Sequence, residues 1–125
     1  MKTILIGCAL IVIGIAGFVF WQNQKPDVFG APLQGIPKVE LARIAEKPAE
    51  HLNMDLRVEG KISRQCPVTG CWFYLKDPGG SELRVELGQV APKLPPRVGR
   101  TAIVEGRLMK MADHYELVGN GVEFK

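Results

Sequence analysis

A strong charge of either sign is missing from this chain, and so is any motif that marks an enzyme. The 125 residues carry 16 Lys and Arg against 13 Asp and Glu, a formal net charge of +3. Acidic residues are interspersed with the basic ones, as in Arg57-Val58-Glu59 and Arg84-Val85-Glu86. That mixed surface lacks the basic footprint of a nucleic-acid-binding domain. There is no Gly-rich phosphate loop, no serine in an elbow motif and no histidine–carboxylate pair at a telling spacing. The chain therefore reads as a non-enzyme, with thiol–disulfide exchange the one reaction left open. Cysteine is scarce, with three, and histidine with two. Three cysteines cannot close a four-thiolate zinc site within one chain. Internal repeats and low-complexity tracts are absent as well.

Charge is also missing locally. From Thr3 to Gln24 no residue is ionisable as Lys, Arg, Asp or Glu, and Ile4 to Trp21 is almost wholly apolar. A bilayer-spanning helix needs roughly 20 such residues, and Trp21 stands where interfacial aromatics lie. Leu5-Ile6-Gly7-Cys8 spells a lipobox-like string, but the apolar stretch before Cys8 is shorter than the roughly 7–15 residues of a signal core. Cleavage after Ala16 would leave Phe18-Val19-Phe20-Trp21 as a new apolar N-terminus. Residues 1–24 are thus expected to be a transmembrane anchor or uncleaved signal. Lys2 favours a cytoplasmic N-terminus although Lys25, Lys38 and Arg43 lie on the other flank, and large C-terminal domains translocate largely regardless of charge. The expected location is the inner membrane, single-pass, with the C-terminal domain periplasmic.

Residues 25–37, with Pro26, Gly30, Pro32, Gly35 and Pro37, read as an extended linker. Residues 38–125 form the folded domain. A short helix is expected around Glu40–Glu46, before Pro48. From Asp55 the period changes to two, with Leu56, Val58, Gly60 and Ile62 on one face. Cys71–Lys76 returns as a second strand, with Phe73 and Leu75 opposite Trp72 and Tyr74. Asp77-Pro78-Gly79-Gly80 is a turn, and Leu83, Val85 and Leu87 alternate as a third strand. Pro92, Pro95 and Pro96 exclude a central strand over residues 88–99. Thr101–Met111 and Tyr115–Phe124 complete five strands. This order predicts an all-β fold: a five-stranded OB-like barrel preceded by a short helix and one N-terminal transmembrane helix. Gly60 and Gly106 suit its bends or bulges.

The chemistry concentrates in Cys66-Pro67-Val68-Thr69-Gly70-Cys71-Trp72. If the flanking runs form a hairpin, Cys66 and Cys71 oppose each other across neighbouring strands, at a separation a disulfide can close with some strain. An oxidised cross-strand pair is the expected state. A redox-exchanging pair and a soft-metal pair stay open, because Cys-x4-Cys is looser than Cys-x-x-Cys. Met109 and Met111 share a strand face, and with His114 and the two thiolates they would make a copper site; methionine as core filler is the plainer reading. Trp72 and Tyr74 with Arg84 are candidates for a ligand-stacking face, and Lys61 and Lys76 for phosphate contacts. Glu59, Glu82 and Glu86 interleave with those cations and weigh against nucleic acid. His51 reads as a surface or capping residue.

Val58-Glu59-Gly60-Lys61-Ile62 followed by Cys66, Gly70, Cys71 and Trp72 resembles a family of small bacterial exported or membrane-anchored OB-fold proteins that carry a Cys-x4-Cys-Trp hairpin. The likeness extends over residues 38–124. Val104-Glu105-Gly106-Arg107 and Tyr115-Glu116-Leu117-Val118 also resemble the tRNA-anticodon-like OB pattern. A weaker likeness is to the OB-fold haem chaperone of cytochrome c maturation, which implies haem on a histidine followed four residues later by a tyrosine. Here Tyr115 follows His114 directly and position 118 is Val118.

These readings lead to a membrane-anchored periplasmic binding or accessory module, with no resident cofactor and an envelope protein as partner. Copper or haem handling through Cys66, Cys71, Met109, Met111 and His114 is the alternative. A nucleic-acid-binding OB domain is the second.

Overall fold

The computed structural model describes residues 27–125. The expected anchor over residues 1–24 lies outside them, and among the described residues no helix is long and apolar enough to cross a membrane. Six strands form: β1 (Asp27–Gly30), β2 (Asp55–Gln65), β3 (Trp72–Lys76), β4 (Glu82–Glu86), β5 (Thr101–Lys110) and β6 (Tyr115–Phe124). One helix, α1 (Leu41–Glu46), and a 3-10 turn at Pro48–His51 precede β2.

The period-two pattern becomes a closed five-stranded barrel. β2 pairs with β3 and β5, β3 with β4, β4 with β6 in parallel, and β6 with β5, all the others antiparallel. Alternation sends Leu56, Val58 and Ile62 of β2 inward, with Phe73 and Leu75 of β3 and Leu83 and Val85 of β4. Val104, Leu108, Leu117, Val122 and Phe124 complete the interior from the last two strands. Phe73 and Phe124 meet there, ring centroids 6.2 Å apart. Each buried aliphatic or aromatic side chain stabilises the fold by about 1.5–3 kcal/mol before conformational entropy is subtracted.

The register slips between Glu105↔Gly121 and Gly106↔Gly119, so the extra residue, Asn120, belongs to β6 and the β-bulge lies on that strand. A Cβ at position 106 would collide with the Val118 carbonyl, so only glycine lets β6 approach this closely. The slip thus falls beside Gly106, as its glycine suggested, but the extra residue is on the partner strand. β2 carries a second irregularity between Ile62 and Arg64, just past Gly60, as it passes from β5 to β3.

The two barrel ends are covered differently. Leu41 and Ile44 of α1 are buried beside Gly60 and Leu83 respectively. At the opposite end the proline-rich connection after β4 turns back on itself, with Ala91 N–H donating to the Leu87 carbonyl. Ala91 and Leu94 plug that opening.

From Asp27 onward, the segment read as a linker is part of the fold. β1 pairs with the end of β6 from Asp27↔Phe124 to Gly30↔Gly121, and Phe29 packs edge-on to Phe124 at 5.7 Å. Glu105, 3 % exposed, then accepts hydrogen bonds from three successive backbone amides: Gln34 at 2.6 Å, and Gly35 and Ile36 at 3.0 Å each. A buried carboxylate needs such partners. These bonds fix the chain against the barrel rather than leaving it a free tether.

Candidate functional site

The Cys66–Cys71 loop links β2 to β3 at the plugged end of the barrel. Cys66 N–H donates to the Trp72 carbonyl at 3.0 Å, so Cys66 stands opposite Trp72 and Cys71 falls one step away. The directly opposed cross-strand pair expected from the sequence is therefore not formed, and neither is a disulfide. Both cysteines are free, half-buried thiols. Thr69 separates them. Its hydroxyl donates to Cys71 Sγ at 3.0 Å and lies 3.6 Å from Cys66 Sγ, so the sulfurs are no further apart than those two distances together.

The loop's shape has a local cause. Gly70 adopts φ +72°, and a Cβ there would lie 2.5 Å from the Leu94 carbonyl oxygen; the position demands glycine. Leu94 N–H donates to the Thr69 carbonyl at 2.8 Å. Gln65 clamps the rest: its Nε2 donates to the Gly70 and Pro95 carbonyls at 3.1 and 3.0 Å, and its Oε1 accepts from Arg97 N–H at 2.7 Å. The same proline-rich connection that plugs the barrel thus holds the thiol loop.

That turn acts on the Cys66 sulfur. The backbone N–H of Thr69, its hydroxyl, and the N–H groups of Val68 and Gly70 all favour a thiolate at Cys66, lowering its pKa from 9.0 to about 7. Backbone amides converging on one atom form an anion nest. Thr69 and Gln65 went unrecognised as functional from sequence; the only signal was the Thr-Gly dipeptide before Cys71.

Beside the loop runs the outward face of β3, β4, β6 and β5. Register places Trp72, Glu86, Val118 and Arg107 in one row, and Tyr74, Arg84, Glu116 and Met109 in the next. The structure therefore brings Trp72, Tyr74 and Arg84 together. The Arg84 guanidinium lies 4.7 Å from the Trp72 ring centroid and 6.0 Å from that of Tyr74, in cation–π range. Its charge is already met: Nε donates to Glu116 at 3.1 Å and Nη2 to Glu86 at 3.5 Å. Glu86 Oε1 in turn accepts from Gly88 N–H at 2.8 Å, and Gly88 lies against Cys71. The thiol loop and the aromatic face are one continuous surface.

His114 and Met111 lie at the other end of that face. Met111 N–H donates to the His114 carbonyl at 2.7 Å, and His114 Nε2 reaches Glu116 at 3.2 Å while Nδ1 meets Asp113 at 2.6 Å. The hydrogen bond with Asp113, then that with Glu116, raises the His114 pKa above 6.5. In register, His114 lies two residues beyond the Glu116–Arg84–Tyr74 row, on the side away from Trp72 and the thiol loop. Met109 sits between, opposite Glu116. The structure does not bring Met109, Met111 or His114 to the thiols, and among the described residues no three His, Cys, Asp or Glu side chains cluster as metal ligands. Both methionines are half-exposed at the barrel surface. His51 bonds the Lys47 carbonyl at 3.1 Å and closes the 3-10 turn.

A groove of about 640 Å³ lies elsewhere, along β2 between Lys38 and Pro78. Lys61 and Lys76 line it, and Lys38 at its edge is paired with Glu59 at 3.5 Å. Compared with known proteins, the chain matches no protein-family model and no curated sequence.

Proposed function

We propose that this chain is an OB-type binding module of the cell envelope, held at the membrane by residues 1–24, whose working groups are the Cys66/Cys71 dithiol and the Trp72/Tyr74/Arg84 face beside it. The strand order supports the OB assignment. In that fold the second and third barrel strands and the loops before the second and fifth strands form the ligand surface. Here those parts are β3 and β4, the Cys66–Cys71 loop and the Met111–His114 turn.

The observation that carries the reading is the thiol pair itself: two free sulfurs held next to one hydroxyl in a loop pinned by Gln65 and Leu94. Extracytoplasmic compartments are oxidising, so thiols kept unjoined there serve a reversible reaction rather than a permanent staple. Nucleic acid is the poorer fit, because Arg84, the cation stacked on Trp72, is neutralised by Glu86 and Glu116. Copper handling by the wider ligand set needs groups that stand at opposite ends of the face.

A reporter fused after Lys125, combined with a membrane-impermeant maleimide on intact cells, tests this. The reading expects an extracytoplasmic reporter and labelling of Cys66 and Cys71 without prior reduction. A cytoplasmic reporter, or labelling only after reduction, overturns it.

A further inference from the structure

We propose that Cys66 and Cys71 form a dithiol–disulfide exchange site in which Cys66 is the attacking and Cys71 the resolving sulfur, with a disulfide as substrate. The inference rests on the reading of this pair as the working groups and adds their roles and reaction.

The asymmetry of the loop assigns the roles. Cys66 faces the amides of Val68, Thr69 and Gly70, which stabilise the anion that attacks and, later, the anion that leaves. Cys71 shares the Thr69 hydroxyl, which donates to its sulfur at 3.0 Å and lies 3.6 Å from that of Cys66, so the two thiols are held side by side, both half-buried. Among the described residues no third His, Cys, Asp or Glu joins the two sulfurs as a metal ligand. Exchange needs one prepared sulfur and one nearby, which is the arrangement present.

The steps balance. The Cys66 thiolate attacks one sulfur of R–S–S–R′, forming Cys66–S–S–R and expelling R′S⁻, which takes a proton from water. Cys71 gives up its proton to solvent and attacks the Cys66 sulfur. The Cys66–Cys71 bond forms and RS⁻ leaves. Two electrons pass from the protein dithiol to the substrate disulfide, and the reverse sequence oxidises a dithiol partner. For the ring to close, the Thr69 hydroxyl must leave its place beside both sulfurs. Reduction restores its hydrogen bonds, which favour the reduced pair. Such stabilisation of the reduced form is what makes a dithiol couple oxidising.

The test uses the full chain in detergent with Cys8→Ser, so that the third cysteine does not report. It is exposed at pH 7 to glutathione disulfide or, separately, to insulin as a protein disulfide, then acid-quenched for intact mass. With Cys71→Ser, one glutathione should accumulate on Cys66 and remain there. With Cys66→Ser, uptake should be slower by at least about 5-fold, from thiolate fraction against nucleophilicity. The chain with both cysteines should end two hydrogens lighter, with no adduct. Unfolding curves of the single variants that overlay the parent show that both loops remain folded. Reaction with glutathione disulfide alone assigns a low-mass substrate, and with insulin alone a protein disulfide; either supports the proposal. Equal rates for the two single variants, two glutathiones on the parent chain, or no exchange with either probe overturns it. Failed exchange beside an extracytoplasmic reporter would sink this inference alone. A cytoplasmic reporter beside successful exchange would sink only the envelope reading.

Discussion

Leaving Cys66 as the sole cysteine, by Cys8→Ser and Cys71→Ser, isolates the effect of the amide nest on one sulfur. The loop lowers the Cys66 pKa from 9.0 to about 7. At pH 7 about half of Cys66 is then thiolate, against about 1 % for an unperturbed thiol, roughly a 50-fold gain in the reactive form. A less basic sulfur is also a weaker nucleophile. With a Brønsted slope of about 0.4–0.5, two units of basicity cost about 6- to 10-fold, leaving a net rate gain of about 5- to 8-fold at pH 7. The assay is the iodoacetamide rate from pH 5 to 10, on folded protein and in urea. The folded rate should rise through a midpoint near 7, and the urea control near 9. Thr69→Val, which keeps the backbone amide and removes the hydroxyl, should move the folded midpoint upward. Coincident midpoints in folded and unfolded protein would refute the nest as the source of reactivity.

Three further outcomes follow from the packing. Glu105→Ala leaves the amides of residues 34–36 without their acceptor and should cost about 2–4 kcal/mol in urea unfolding, with faster hydrogen exchange at residues 34–36. Phe73→Ala, at a fully buried position against Phe124, should cost about 3–5 kcal/mol; a loss below 1 kcal/mol would contradict the assigned core. His114 should titrate above 6.5 by NMR, and Glu116→Gln should bring it down, since Glu116 is one of its two acidic partners. Because its folded pKa is raised, the stabilisation from protonated His114 is fully present below 6.5 and lost as pH rises through the folded value.

The strands were legible because alternation is a short-range signal. Leu56-x-Val58 and Phe73-x-Leu75 name their faces without knowledge of their partners, and Gly106 marks the place where β6 comes close, although the extra residue of the bulge there is Asn120 of β6. The thiol geometry was not legible, because it depends on Leu94, Pro95 and Arg97, which contact Thr69 and Gln65 from about 25 to 32 residues away in sequence. A Cys-x4-Cys spacing permits a directly opposed pair; the positive φ at Gly70 and the Thr69 hydroxyl select another arrangement. β1 was hidden for a similar reason. Asp27-Val28-Phe29-Gly30 is too short to show a period and lies among prolines and glycines, so it reads as a linker until β6 is present to pair with it. Nothing in the strand pattern marks Glu105 as buried, because its partners are the backbone amides of residues 34–36, about 70 residues away in sequence. Trp72, Tyr74 and Arg84 were recoverable, since adjacent strands with known faces bring them together whatever the loops do.

The central claim is that Cys66 is the prepared sulfur of the pair, and the ratio of two trapping rates tests it most directly. In the Cys8→Ser background at pH 7, glutathione disulfide should modify the Cys71→Ser chain at least about 5-fold faster than the Cys66→Ser chain. Equal rates, or a faster Cys71, would contradict the account.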